Sequence, residues 1–138
     1  MIERCVRELA LAGETSAVPE KPALILVVED EEPIRFMVTE GLTSAGYSIL
    51  EAANAIEAIK VLDEHPIDLV FTDVRMPGTM DGAHLAFLIE TRWPAVKIIV
   101  GSGNFDPRAL RLPRGSSFLS KPYRLSALTD LIEQCLEA

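Results

Sequence analysis

Residues 71–78 read FTDVRMPG. The apolar run from Leu69 leads through Thr72 to Asp73, and a Met-Pro-Gly turn follows closely. A short apolar run bounded by turn residues reads as a buried strand, here introduced by Asp68. A lone carboxylate at the tip of such a strand can cap a turn, bind a metal or take part in chemistry. What it does is set by what else the chain brings near it.

Outward from this stretch the same unit recurs. Residues 24–28, LILVV, are apolar without alternation, as a strand buried on both faces would be. Residues 33–44 carry Ile34, Met37, Val38 and Leu42 at helical spacing, with Pro33 suited to the first turn and Gly46 to the stop. Gly41 is a local weak point inside that helix, either simply tolerated or there to let a partner approach closely. Residues 47–50 form a second strand, and Asn54 can cap a helix over 55–64. Residues 83–92 read as a helix, 98–100 as a fourth strand, and Phe118 with Leu119 as the centre of a short fifth. Leu125, Leu128, Ile132, Cys135 and Leu136 line a last helix. This alternation predicts an α/β domain: a doubly wound, five-stranded parallel sheet with helices on both faces.

The fourth helix is the weak member. Pro107, Pro113 and Gly115 crowd the segment between Gly103 and Ser116, so a shortened or irregular helix, or a loop, is expected there. Residues 1–22 stand apart as an N-terminal extension, with MIERCVRELAL as a short helix and GETSAVPEKP as a linker. The domain proper covers residues 23–138.

Composition narrows the function. A chain of 138 residues fits one domain with one core. The net charge of -8 and the scattered basic residues speak against direct contact with nucleic acid. No apolar run approaches the ~20 residues that span a bilayer. Cys5 and Cys135 sit near opposite ends and form no metal or redox pair, which suits a reducing, cytoplasmic setting.

In an open parallel sheet, sites form beyond the C-terminal ends of the strands. Glu29 and Asp30 end strand one, Asp73 ends strand three, Ser102 follows strand four and Lys121 follows strand five. In the flavodoxin-like order 2-1-3-4-5, strand one sits beside strand three, and Glu29, Asp30 and Asp73 converge. Three crowded carboxylates repel one another, which a hard cation or a lysine relieves. A donor set of oxygens suits Mg2+. Lys121 can meet one phosphoryl oxygen and the Ser102 hydroxyl another. The chemistry on offer is phosphoryl transfer, with Asp73 as the nucleophile and Glu29 and Asp30 holding the ion.

LILVVEDE at 24–31, FTDVRMPG at 71–78, SG at 102–103 and FLSKPY at 118–123 together resemble a response-regulator receiver domain of two-component signalling. The resemblance covers residues 23–137. It implies a single-domain, CheY-like regulator that accepts a phosphoryl group on Asp73 from a histidine kinase or a histidine phosphotransfer protein. It implies Mg2+ held by Glu29, Asp30, Asp73 and the backbone carbonyl of Arg75. It makes Lys121 the phosphoryl contact, Ser102 the switch hydroxyl and Phe118 the rotating aromatic, and it implies a cis Lys121–Pro122 bond. The expected readout is a conformational change read by a protein partner, with room for a homodimer.

Three departures from the family pattern stand out. DVRMPGTMDG carries one residue more than the commonest form before Gly82. The shortened fourth helix alters the face that often carries the output, and Phe118 has no hydroxyl. Arg75 and Asn104 stand at positions that tune phosphate lifetime in the family. Other readings are a degenerate receiver that only binds, a receiver cut from a larger hybrid kinase, and a hydrolase of similar topology. Arg75, where such a hydrolase has a second aspartate, weighs against the last. Met1 favours a stand-alone protein.

Overall fold

The strand LILVV becomes β1 (Leu24–Val28) because every side chain in it finds a partner surface. Ile25 and Val27 point to one face of the sheet and Leu26 and Val28 to the other, all four buried. Burying such side chains on both faces contributes ~1.5–3 kcal/mol each. In the computed structural model, residues 22–75, 80–103 and 112–137 are described. They run β1, α1 (Glu32–Ser44), β2 (Ser48–Ala52), α2 (Ala55–Glu64), β3 (Leu69–Asp73), α3 (Gly82–Arg92), β4 (Lys97–Ser102), β5 (Ser117–Ser120) and α4 (Leu125–Glu137).

All four strand pairings are parallel, and the order is β2-β1-β3-β4-β5. The expected doubly wound, flavodoxin-like sheet is therefore present. One core cluster joins Leu26, Val28, Val70 and Val100 to Ala58 and Leu62 of α2 and Leu85 and Ile89 of α3. The other joins Ile25, Val27, Phe71 and Ile99 to Val38 and Leu42 of α1 and Leu128 and Ile132 of α4. The chain adds β2 on one side of β1 and then crosses to place β3 on the other. The crevice beyond β1 and β3 is the switch point where such sheets bind ligands.

Local signals set the ends of the helices. Asn54 accepts a hydrogen bond from the Glu57 amide at 2.9 Å and caps α2 as expected. Asp81 caps α3 through the His84 amide at 3.0 Å. Gly46, at φ 102°, closes α1, with the Gly46 amide on Thr43 and the Tyr47 amide on Leu42. That pair of bonds is a Schellman closure, and its left-handed residue is one that glycine adopts without a steric penalty.

Some expectations shift. Ser102 is the last residue of β4 and not the first beyond it. Gly41 is no mere weak point: a Cβ there would run into the side chain of Leu125, so its bareness lets α4 seat on α1. The fourth-helix expectation falls mostly on residues 104–111, which lie outside the described residues, as does the N-terminal helix. Leu112, the end of that expected helix, is not helical, and a turn from Pro113 to Ser116 leads into β5. The Lys121–Pro122 peptide bond is cis, as the resemblance implied.

Candidate functional site

Three strand ends build the site. β1 ends at Val28, and the next two residues are the buried Glu29 and the exposed Asp30. β3 ends on Asp73, which faces Gly101 of β4 in the register. Carboxylate oxygens of Glu29, Asp30 and Asp73 all lie within 4.8 Å of one another, the single such acidic group among the described residues. From the end of β5, Lys121 reaches in, its Nζ 3.2 Å from Asp73 Oδ2. The Lys121 amide bonds the Ser102 carbonyl at 2.9 Å, which ties the end of β4 to this loop.

The electrostatics follow from crowding. Burial pushes the Glu29 carboxyl up to about 7, with further upward pressure from Asp73 and Asp30. The Glu31 amide, which donates to Glu29 Oε2 at 3.1 Å, and Lys121 act in the opposite direction. A carboxyl that holds its proton near neutrality, with two others within 4.8 Å, is what a divalent cation would relieve. The donors are all oxygen, which fits a hard ion such as Mg2+ and not a thiolate- or imidazole-seeking metal.

Of the residues expected from sequence, Glu29, Asp30, Asp73 and Lys121 come together. Ser102 is buried at the neighbouring strand end. Phe118 is half-buried within β5 opposite Val100, below the rim. Arg75 lies exposed two residues past Asp73, where the described part of that loop stops. The extra residue of DVRMPGTMDG and the lifetime position Asn104 lie outside the described residues.

Three contributors escaped sequence reasoning. Tyr123 stacks edge-on against Phe71, with ring centroids 5.8 Å apart. Its phenol is pushed up to about 12 by burial and then by Glu29 and Asp73, which places it within their field. Its position directly after Lys121 and Pro122 was the available signal. Gly82 donates its amide to the Val74 carbonyl at 2.8 Å, and a Cβ there would collide with the Asp73 carbonyl. Its signal was a glycine just after the Asp81 cap. Arg35 donates to the Glu29 carbonyl at 2.7 Å, a contact with no local signature.

The profile of the response regulator receiver domain matches residues 25–133. The chain is 37% identical over 120 residues to the sensor kinase CckA of Brucella abortus, covering 83% of this chain and 13% of that one. It is 34% identical to the transcriptional regulatory protein GlrR of Escherichia coli, covering 85% and 27%. Among solved structures, a response regulator receiver protein from Sinorhizobium medicae superposes with a TM-score of 0.78 at 28% identity, covering 85% of this chain and 96% of that one. The receiver domain of NtrX from Brucella abortus gives 0.75 at 31% identity, covering 83% and 98%. The chain belongs to the response-regulator receiver family. Its acidic cluster is positioned to hold a metal ion and suits the phosphoacceptor role of a receiver domain. It spans only about an eighth to a quarter of the curated relatives named, at 13% and 27% of their lengths. No described helix is long and apolar enough to cross a membrane.

Proposed function

We propose that this chain is a cytoplasmic receiver that accepts a phosphoryl group on Asp73 from a sensor histidine kinase or a histidine phosphotransfer protein. The observation that carries the reading is the convergence of three carboxylates with Lys121 at the β1–β3 crevice. Asp73 is the nucleophile. Its carboxylate oxygen forms a bond to phosphorus as the phosphorus–nitrogen bond of the donor phosphohistidine breaks, and the electron pair leaves with the imidazole. An ionised carboxylate needs no base to attack. Glu29, Asp30 and Asp73 would hold Mg2+, with the Arg75 carbonyl as a further oxygen ligand. When bound, that ion screens the cluster and the incoming phosphoryl charge.

Lys121 pairs with Asp73 at 3.2 Å before transfer and contacts a phosphoryl oxygen after it. Ser102 donates its hydroxyl to another of those oxygens, and Phe118 responds on β5. Phosphorylation adds charge and acceptor oxygens and so biases a two-state equilibrium. An apolar groove of about 420 Å3 beside Lys121, lined by Ile34, Met37, Gly103, Pro122 and Tyr123, supports approach by a protein donor. The output is read by a protein partner, and sedimentation of both phosphorylation states separates that from reading by a second copy.

The test is intact mass after incubation with acetyl phosphate and Mg2+, with EDTA and Asp73→Asn as controls. A phosphoryl gain that needs both Mg2+ and Asp73 is expected. No gain from either acetyl phosphate or a phosphorylated histidine donor, in folded protein, would sink the reading.

A further inference from the structure

Arg35 sits in the first turn of α1, and its side chain is only 16% exposed. Nη1 donates to the backbone carbonyl of Glu29 at 2.7 Å. Nε donates to Glu51 Oε1 on β2 at 3.0 Å. Nη2 stands 3.9 Å from Glu32 Oε2. On its other side, the Glu29 amide donates to the Ala52 carbonyl at 3.0 Å. Glu29 is thus held to the end of β2 twice: directly by its N–H, and by its C=O through Arg35 and Glu51.

We propose that Arg35 is a positioning residue for Mg2+ binding, acting through the Glu29 carbonyl to fix the loop that carries Glu29 and Asp30. The proposal rests on the reading of the carboxylate cluster as a Mg2+ site. The carbonyl that Arg35 holds belongs to the peptide unit joining the two acidic residues. Tilting that unit swings both side chains. The cluster itself pushes the loop outward, because its carboxylates lie within 4.8 Å of one another. A mostly buried, charge-assisted bond opposes that push. The task needs a guanidinium: a rigid fork can hold the Glu29 carbonyl and the Glu51 carboxylate at once, whereas a lysine ammonium is a single flexible point of charge. Ligand-orienting partners of this kind are worth about 10–100-fold in metal affinity.

The experiment is calorimetric titration of the full chain with Mg2+ for wild type, Arg35→Met, Arg35→Lys and Arg92→Met. Arg92 supplies the control, an exposed arginine that pairs with Asp63 at 3.0 Å between α2 and α3. Affinity is expected to fall about tenfold in Arg35→Met and nearly as far in Arg35→Lys, with no change in Arg92→Met. Amide exchange at Glu29, measured without Mg2+, is expected to speed up in both Arg35 variants while the β3 amides stay protected. Wild-type Mg2+ affinity in Arg35→Met overturns the proposal. Should that variant fail to fold, wild-type affinity in Arg35→Lys overturns it equally. No Mg2+ binding by the wild type would instead remove the metal reading itself, a failure distinct from one confined to Arg35.

Discussion

Replacing Gly82 with alanine puts a methyl group into the carbonyl of Asp73, where the obstacle is backbone at the end of a buried strand. No rotamer change can clear it, so α3 and the β3 end must move apart. Overpacking of this kind costs about 1–3 kcal/mol. The separation also stretches the 2.8 Å bond from the Gly82 amide to the Val74 carbonyl, at about 1 kcal/mol. The better helix propensity of alanine offsets at most about 1 kcal/mol. The net expectation is a loss of about 2 kcal/mol. Two other glycines calibrate it. Gly46→Ala meets no atom within 4 Å but must hold φ 102°, and should cost about 1 kcal/mol. Gly115→Ala meets nothing within 4 Å and needs no positive φ, so it should be neutral or slightly stabilising. Urea unfolding with unchanged slopes gives the three values. The order of loss should be Gly82, Gly46, Gly115, and labelling by acetyl phosphate should slow in Gly82→Ala alone. A Gly82→Ala protein as stable as Gly115→Ala would refute the close-approach argument.

Other outcomes are as specific. In metal-free protein the native state binds the Glu29 proton more tightly than the unfolded chain does, at about 7 against 4.5. Its contribution is therefore full below pH 4.5 and lost as pH rises through 7, by at most about 3 kcal/mol. Urea midpoints across that window should show the slope in wild type and not in Glu29→Gln; equal slopes would contradict it. Gly41→Ala should push on Leu125, and a cycle with Leu125→Ala should recover at least about 0.5 kcal/mol of coupling, whereas strict additivity would mean the helices do not meet there. Asn54→Ala should cost about 1 kcal/mol in the same assay by leaving the Glu57 amide uncapped, and an unchanged midpoint would count against the cap.

Much of this protein was legible in its residues. The apolar run of β1, the Asn54 cap, the Gly46 stop and the carboxylates at strand tips are local signals, readable because period, cap and turn depend on neighbours in sequence. They determined the alternation of strands and helices and nominated Glu29, Asp30, Asp73 and Lys121. They did not determine adjacency. That β1 lies between β2 and β3 is a matter of long-range pairing, and only that order brings Asp73 beside Glu29 and Asp30. The same holds for Arg35, which meets Glu51 across the α1–β2 packing. It holds for Gly41, whose missing side chain makes room for Leu125 in α4. Glycines and buried arginines take their meaning from what packs against them, and that is decided when the sheet closes and the helices settle on its two faces.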